Sequence, residues 1–278
     1  MIRSSFCYCF ADGDFADNLK RLADCGFEAV ELWSYDLESR PIEQTARDLR
    51  RAGLVCSQIC PYFDFVHSAD EWQESVELGM RYIEYSRALG NPLIRVFTGP
   101  LGEGVRVCSA EALPEQWDAA IRGLAGLCAE AEKHKVRFCL EVHPGTLAED
   151  SHSTLRLIRG VGSPNLVANP QIPLLNEDPW YSLGRLAGHV AHCHAHNWSD
   201  RVGGTLAPIA RGIFDWESYL RTAQADGFDG FVSVEHARDS GGGDPWKAAA
   251  IDGPYLRELA SRLGDGAHPT TCTPAPDS

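Results

Sequence analysis

Basic residues are scarce in this chain of 278 residues: 25 lysines and arginines stand against 39 aspartates and glutamates, a formal net charge of -14. A surface of that sign repels nucleic-acid phosphates and anionic membranes, so neither is expected as a partner. No apolar run approaches membrane-spanning length, and the stretch Met1–Phe15 has no apolar core long enough for a signal peptide. None of the ten cysteines forms a C-x-x-C pair. Cys56, Cys60, Cys139 and Cys193 instead sit inside apolar, strand-like runs, where cysteine acts as a small hydrophobe. The expectation is a cytoplasmic protein with free thiols, not a disulfide framework. A Gly-rich nucleotide fingerprint is missing as well: Cys9–Ala16, after the first strand-like run, carries none. That absence argues against an open, doubly wound dinucleotide-binding sheet.

Strand-like and helix-like segments alternate from the start. Ser5–Phe10 reads as a strand, and Phe15–Cys25 has helical spacing closed by Gly26, the residue type that best ends a helix. Phe27–Trp33, Leu54–Cys60, Leu93–Thr98, Val136–His143, Asn165–Asn169, His189–His196 and Gly230–Glu235 read as seven further strands. Helical segments follow each, the last being Trp246–Arg262. Eight strand–helix units over about 250 residues match the size and period of a single (β/α)8 TIM barrel. The expected division is a barrel over residues 1–263 and a disordered tail over 264–278, where GDGAHPTTCTPAPDS has no large aliphatic or aromatic residue.

Chemistry in a barrel sits at the C-terminal ends of the strands and in the loops after them. The run VRFCLEVHPG places Val136, Phe138, Leu140 and Val142 on one face and Cys139, Glu141 and His143 on the other. A carboxylate buried in such a strand costs several kcal/mol unless it is paired, hydrogen-bonded or bound to a metal. In GFVSVEH, Glu235 repeats that logic, and HVAHCHAHNW turns His192, His194 and His196 to one face. Inward carboxylates with inward imidazoles suit a divalent cation such as Mn²⁺, Mg²⁺ or Zn²⁺, and equally a proton shuttle between two carboxylates. Glu31, Asn169 and Gln171 fall at other strand ends, where they can meet a substrate. Arg201 and Arg211, in the long stretch Asn197–Phe214 with its Gly203-Gly204 pair, and Arg106, in Gly99–Ser109, are candidates for gripping a sugar hydroxyl, carboxylate or phosphate.

The segments LEVHPGTLAED, HVAHCHAHNW, PIARGIFDW and DGFDGFVSVEH together resemble the sugar phosphate isomerase/epimerase group of xylose isomerase-like TIM barrels. The resemblance covers about Phe6 to Arg262 and implies one divalent metal held by Glu, Asp, His and Glu from strands five to eight. The matching residues are Glu141, His194 and Glu235, with Asn169 where the family has Asp. The resemblance further implies that Glu141 and Glu235 move a proton at the carbon beside a carbonyl. By their own places at strand ends and in the loop after the seventh strand, His143, Gln171, His196, Arg201, Arg211 and Glu31 are the expected substrate contacts. The activity it implies is isomerisation or epimerisation of a sugar, sugar phosphate or keto-cyclitol. The alternatives are a lyase or dehydratase on a keto-inositol, dehydroshikimate-like or 3-keto-glycoside substrate, and a metal-free sugar-binding barrel. The expected partner is a small carbohydrate, and homo-oligomers are common in such families.

Overall fold

The computed structural model describes residues 1–9, 12–102 and 104–265. Eight parallel strands form a closed barrel: β1 Arg3–Tyr8, β2 Ala29–Trp33, β3 Val55–Cys60, β4 Leu93–Val96, β5 Phe138–Val142, β6 Leu166–Ile172, β7 His192–Ala195 and β8 Phe231–Val234. The ring closes where β8 pairs with β1, Arg3 opposite Phe231. Outside run the helices α1 Phe15–Cys25, α2 Ile42–Ala52, α3 Ala69–Ala88, α4 Pro114–Lys133, α5 Ser151–Val161, α6 Pro179–Arg185, α7 Trp216–Ala225 and α8 Pro245–Asp265. The expected fold is therefore the observed one. Gly26 ends α1 in the left-handed region at φ 100°, and its N–H reaches the carbonyls of Ala23 and Leu22. The expected tail boundary needs a small correction, because α8 continues through Gly264 and Asp265; residues 266–278 lie outside the described residues.

The period-two pattern of the strands divides the core in two. Phe138, Leu140 and Val142 of β5, Ile94 and Val96 of β4, and Val232 and Val234 of β8 are fully or almost fully buried against the helices. Burying each such side chain stabilises the fold by about 1.5–3 kcal/mol. The inner face is apolar only at one end, where Leu93, Cys139 and Val167 pack together. Above that plug the barrel interior is polar and charged: Glu31, Gln58, Arg95, Glu141, Asn169 and His194 are all at most 2% exposed. Groups of that kind persist only when they satisfy one another.

Three short elements escaped the alternation rule. Ser34–Glu38 and Ala237–Ser240 are single-turn helices after β2 and β8, and Asn197–Trp198 pairs antiparallel with Leu206–Ala207 after β7. None is long enough to show a period. Every described cysteine is free. Among the described residues no helix is long and apolar enough to cross a membrane.

Candidate active site

Register brings the polar side chains together. Glu141 of β5 lies opposite Asn169 of β6, and Gln171 of β6 lies opposite His194 of β7, which in turn faces Ser233 of β8. The Nδ1 of His194 stands 3.4 Å from Glu141 Oε1 and 3.7 Å from Glu235 Oε1. Gln171 Nε2 donates to Glu141 Oε1 at 2.8 Å and to both oxygens of Glu235 at 3.1 Å. Glu141, His194 and Glu235 thus present three ligand atoms to one point, close enough to hold a single cation.

On its other side the His194 ring is fixed from below. Its Nε2 lies 2.9 Å from Glu31 Oε2, and His192 Nε2 lies 3.1 Å from the same oxygen. The Cys60 thiol donates to Glu31 Oε1 at 2.9 Å. Burial pushes the Glu31 carboxyl up, but His194 and His192 beside it more than offset this and hold it well below the usual carboxylate range. Burial pulls His194 down, while Glu31, Glu141 and Glu235 together raise it well above the usual histidine value. His192 is lowered by burial against a weaker pull from Glu31. A carboxylate on Nε2 leaves Nδ1 as the nitrogen to ligate, the usual way a metal-binding histidine is oriented.

Glu141 and Glu235 are unequal. Arg95 Nη1 donates to Glu141 Oε2 at 3.3 Å, with both side chains 2% exposed, and Arg95 Nη2 donates to the Pro61 carbonyl at 2.9 Å. The guanidinium lies against the rings of Phe97, Tyr62 and Trp33. Burial raises the Glu141 carboxyl, but His194 and Arg95 outweigh it and the group is held low. Among the described residues Glu235 pairs with no arginine; its Oε2 lies 3.4 Å from Nε2 of His236, which lines the pocket described next.

Beside this cluster opens a pocket of about 430 Å³, lined among others by Arg106, His143, Gln171, His196, Trp198, His236 and the Gly203-Gly204 tip. His143 Nδ1 lies 2.7 Å from the Pro144 carbonyl, so Nδ1 carries the hydrogen of that bond and the neutral ring has its lone pair on Nε2. His196 is packed edge-on against Trp198, and burial and the neighbouring His236 push it down to about 3, so it is neutral at any working pH.

The sequence-expected residues therefore separate. Gln171, His143 and His196 line the pocket, and Glu141, His194 and Glu235 cluster behind Gln171, whose amide bonds both carboxylates. Glu31, expected to touch substrate, is 0% exposed beneath His194 and is sealed from the pocket, because its place in the strand lies deeper than the mouth. Arg201 and Arg211 are exposed on the loop and do not line the pocket. Asn169, expected as a ligand, spends its Oδ1 on the backbone N–H of His194 at 3.0 Å. Arg95 and His236 were missed. Arg95 carries the signal that marked Glu141, a charge inside an apolar strand, in LIRV.

The family model of xylose isomerase-like TIM barrels matches residues 19–259. The chain belongs to that family. Among curated proteins it is 28% identical over 248 residues to the 3-dehydroshikimate dehydratase of Bacillus anthracis, covering 80% of this chain and 85% of that one. Among solved structures, L-ribulose 3-epimerase superposes with a TM-score of 0.78 at 18% identity, covering 99% of this chain and 100% of that one. A xylose isomerase-like TIM barrel protein from Mycobacterium smegmatis in complex with magnesium superposes with a TM-score of 0.72 at 17% identity, over 91% of this chain and 90% of that one. At such identities the two structures establish this barrel's fold, not its chemistry.

Proposed function

We propose that this barrel is a metal-assisted lyase that removes water from a small, carboxylate-bearing cyclic hydroxy ketone of the 3-dehydroshikimate type. The observation that carries this reading is the inequality of the two glutamates. Epimerisation by two bases needs an acid/base group on each face of the reacting carbon. Here Glu141 is walled in by Arg95, His194 and Gln171 and held ionised, which suits a ligand and not a second base. Dehydration needs one base. His143 supplies it, because its Pro144 bond leaves the Nε2 lone pair free at the pocket. The similarity to a 3-dehydroshikimate dehydratase supports the same choice.

Glu141, His194 Nδ1 and Glu235 fit a divalent cation: two hard carboxylate oxygens and one imidazole suit Mg²⁺, Mn²⁺ or Zn²⁺. Bound there, the cation supplies a Lewis acid for the substrate carbonyl. Glu31 holds the His194 ring in place by accepting at Nε2. His143 removes the proton beside the carbonyl, the C–H electrons become the new C=C bond, and the β C–O bond breaks. The departing hydroxide takes the proton from His143, so one water is lost and the base is restored. Arg106, at the pocket rim with Nε held by the Leu101 carbonyl, is the cation suited to the substrate carboxylate.

The test is incubation of the Mn²⁺-loaded protein with 3-dehydroshikimate in one arm and D-tagatose or L-ribulose in the other, with products followed by absorbance and chromatography. Release of dihydroxybenzoate supports the lyase. Ketose epimerisation without dehydration overturns it in favour of the isomerase reading.

A further inference from the structure

The three ligand atoms above leave a fourth position open, and two amides on β6 compete for it. Asn169 is disqualified by its own bonding. Its Oδ1 accepts from the His194 backbone N–H at 3.0 Å, its Nδ2 has no partner, and the residue is 0% exposed. Turning that amide toward a cation would break the bond that aligns β6 with β7 and set N–H against N–H.

Gln171 stands where a fourth ligand atom would. Its Nε2 lies within 3.1 Å of three carboxylate oxygens, one from Glu141 and two from Glu235, and these are the carboxylates that His194 Nδ1 also faces. An amide N–H₂ there answers the negative charge of two glutamates with partial positive charge. The terminal amide torsion is broad and roughly two-fold, so a half-turn exchanges Nε2 for Oε1 without moving the chain. The same position then offers a carbonyl lone pair.

We propose that Gln171, not Asn169, is the β6 ligand of the metal site, and that its amide turns from N–H₂ toward the carboxylates to oxygen toward the cation when metal binds. The inference rests on the metal-site part of the proposed function. It completes a donor set of Glu141, Gln171 and His194 from β5, β6 and β7 and Glu235 just after β8. It also gives the site a neutral oxygen where a carboxylate would add charge, and Arg95 beside Glu141 removes more. A hard cation is bound more weakly by fewer charged ligands, so affinity is set by residue 171.

The experiment is calorimetric titration of Mn²⁺ into chelator-stripped protein, with no substrate present. Gln171→Leu is expected to weaken Mn²⁺ binding by about tenfold or more, and Gln171→Glu to tighten it by about tenfold, a gain that misfolding cannot mimic. The proposal is overturned if the wild-type protein binds no Mn²⁺, if Gln171→Leu stays within about threefold of wild type, or if Gln171→Glu gives no gain. Loss of binding in Asn169→Ala with Gln171→Leu unaffected would make Asn169 the ligand and also overturn it. Absence of dehydratase activity alongside the expected Mn²⁺ pattern would overturn the lyase reading and leave this one standing.

Discussion

Arg95 and Glu141 are buried as a pair, 3.3 Å apart at the shared centre of the barrel, and 2% of each side chain is exposed. In the proposed reading the pair anchors a carboxylate of the metal site and keeps it out of proton transfer. Removing the guanidinium leaves an unpaired carboxylate in a buried site. Arg95→Leu is expected to destabilise the protein by about 3–5 kcal/mol, read from urea unfolding midpoints at constant slope. Adding Glu141→Leu in the same chain should recover part of that loss, because the double variant has no orphan charge. Purely additive costs would show that the pair is not coupled.

The sequence disclosed Glu141, His194 and Glu235 by one rule: a strand with period two turns alternate residues inward, and a polar residue there needs a purpose. Arg95 obeys the same rule, but its four-residue strand Leu93–Val96 is too short for the alternation to stand out. The period reports the face of a residue and not its depth. Glu31 and Gln171 both point inward, yet Glu31 is sealed beneath His194 while Gln171 reaches the pocket. Arg201 and Arg211 lie on a loop with no period, so nothing local in the sequence indicated which way they point.

Glu31 and His194 define a pH window for the metal-free protein. Glu31 is lowered in the fold, so its contribution is complete above the ordinary carboxylate value of 4.5 and is lost as pH falls toward the depressed value. His194 is raised, so its contribution is complete below the ordinary histidine value of 6.5 and is lost as pH rises toward the elevated one. Stability measured by thermal unfolding in chelator should therefore be greatest between these two values and fall on either side. Glu31→Gln should flatten the profile, and it should also weaken Mn²⁺ binding by about 10–100-fold through loss of the His194 support. An unchanged profile would show that Glu31 does not hold the ring.

His143 is the proposed base, and its substitution should act on turnover rather than on folding. His143→Asn preserves a donor toward the Pro144 carbonyl but offers no basic nitrogen at the pocket. The expected result is a fall in kcat of about 10²–10⁴-fold on the dehydration substrate with Mn²⁺ affinity unchanged. A kcat near wild type would transfer the role to Glu235, beside the pocket residue His236.

Asp252 of α8 ties the loop after β7 to the barrel and does so at a cost. Its side chain is 0% exposed; Oδ1 accepts from the Ala210 backbone N–H at 3.1 Å, and Oδ2 has no partner. Burial outweighs the bonds from Ala210 and Ile209 and the nearby Arg211 charge, and raises the carboxyl to about 6. The folded state therefore binds this proton more tightly than the unfolded chain does. Its contribution is complete below the ordinary value of 3.8 and is lost as pH rises through about 6. Asp252→Asn keeps an acceptor for Ala210 and has no charge to bury. It should stabilise the protein at pH 7.5 by about 1–3 kcal/mol and have little effect at pH 4, with unfolding midpoints at the two values as the measure. Equal gains at both would assign the effect to packing, and a loss at pH 7.5 would mean that the ionised carboxylate is the form the loop requires.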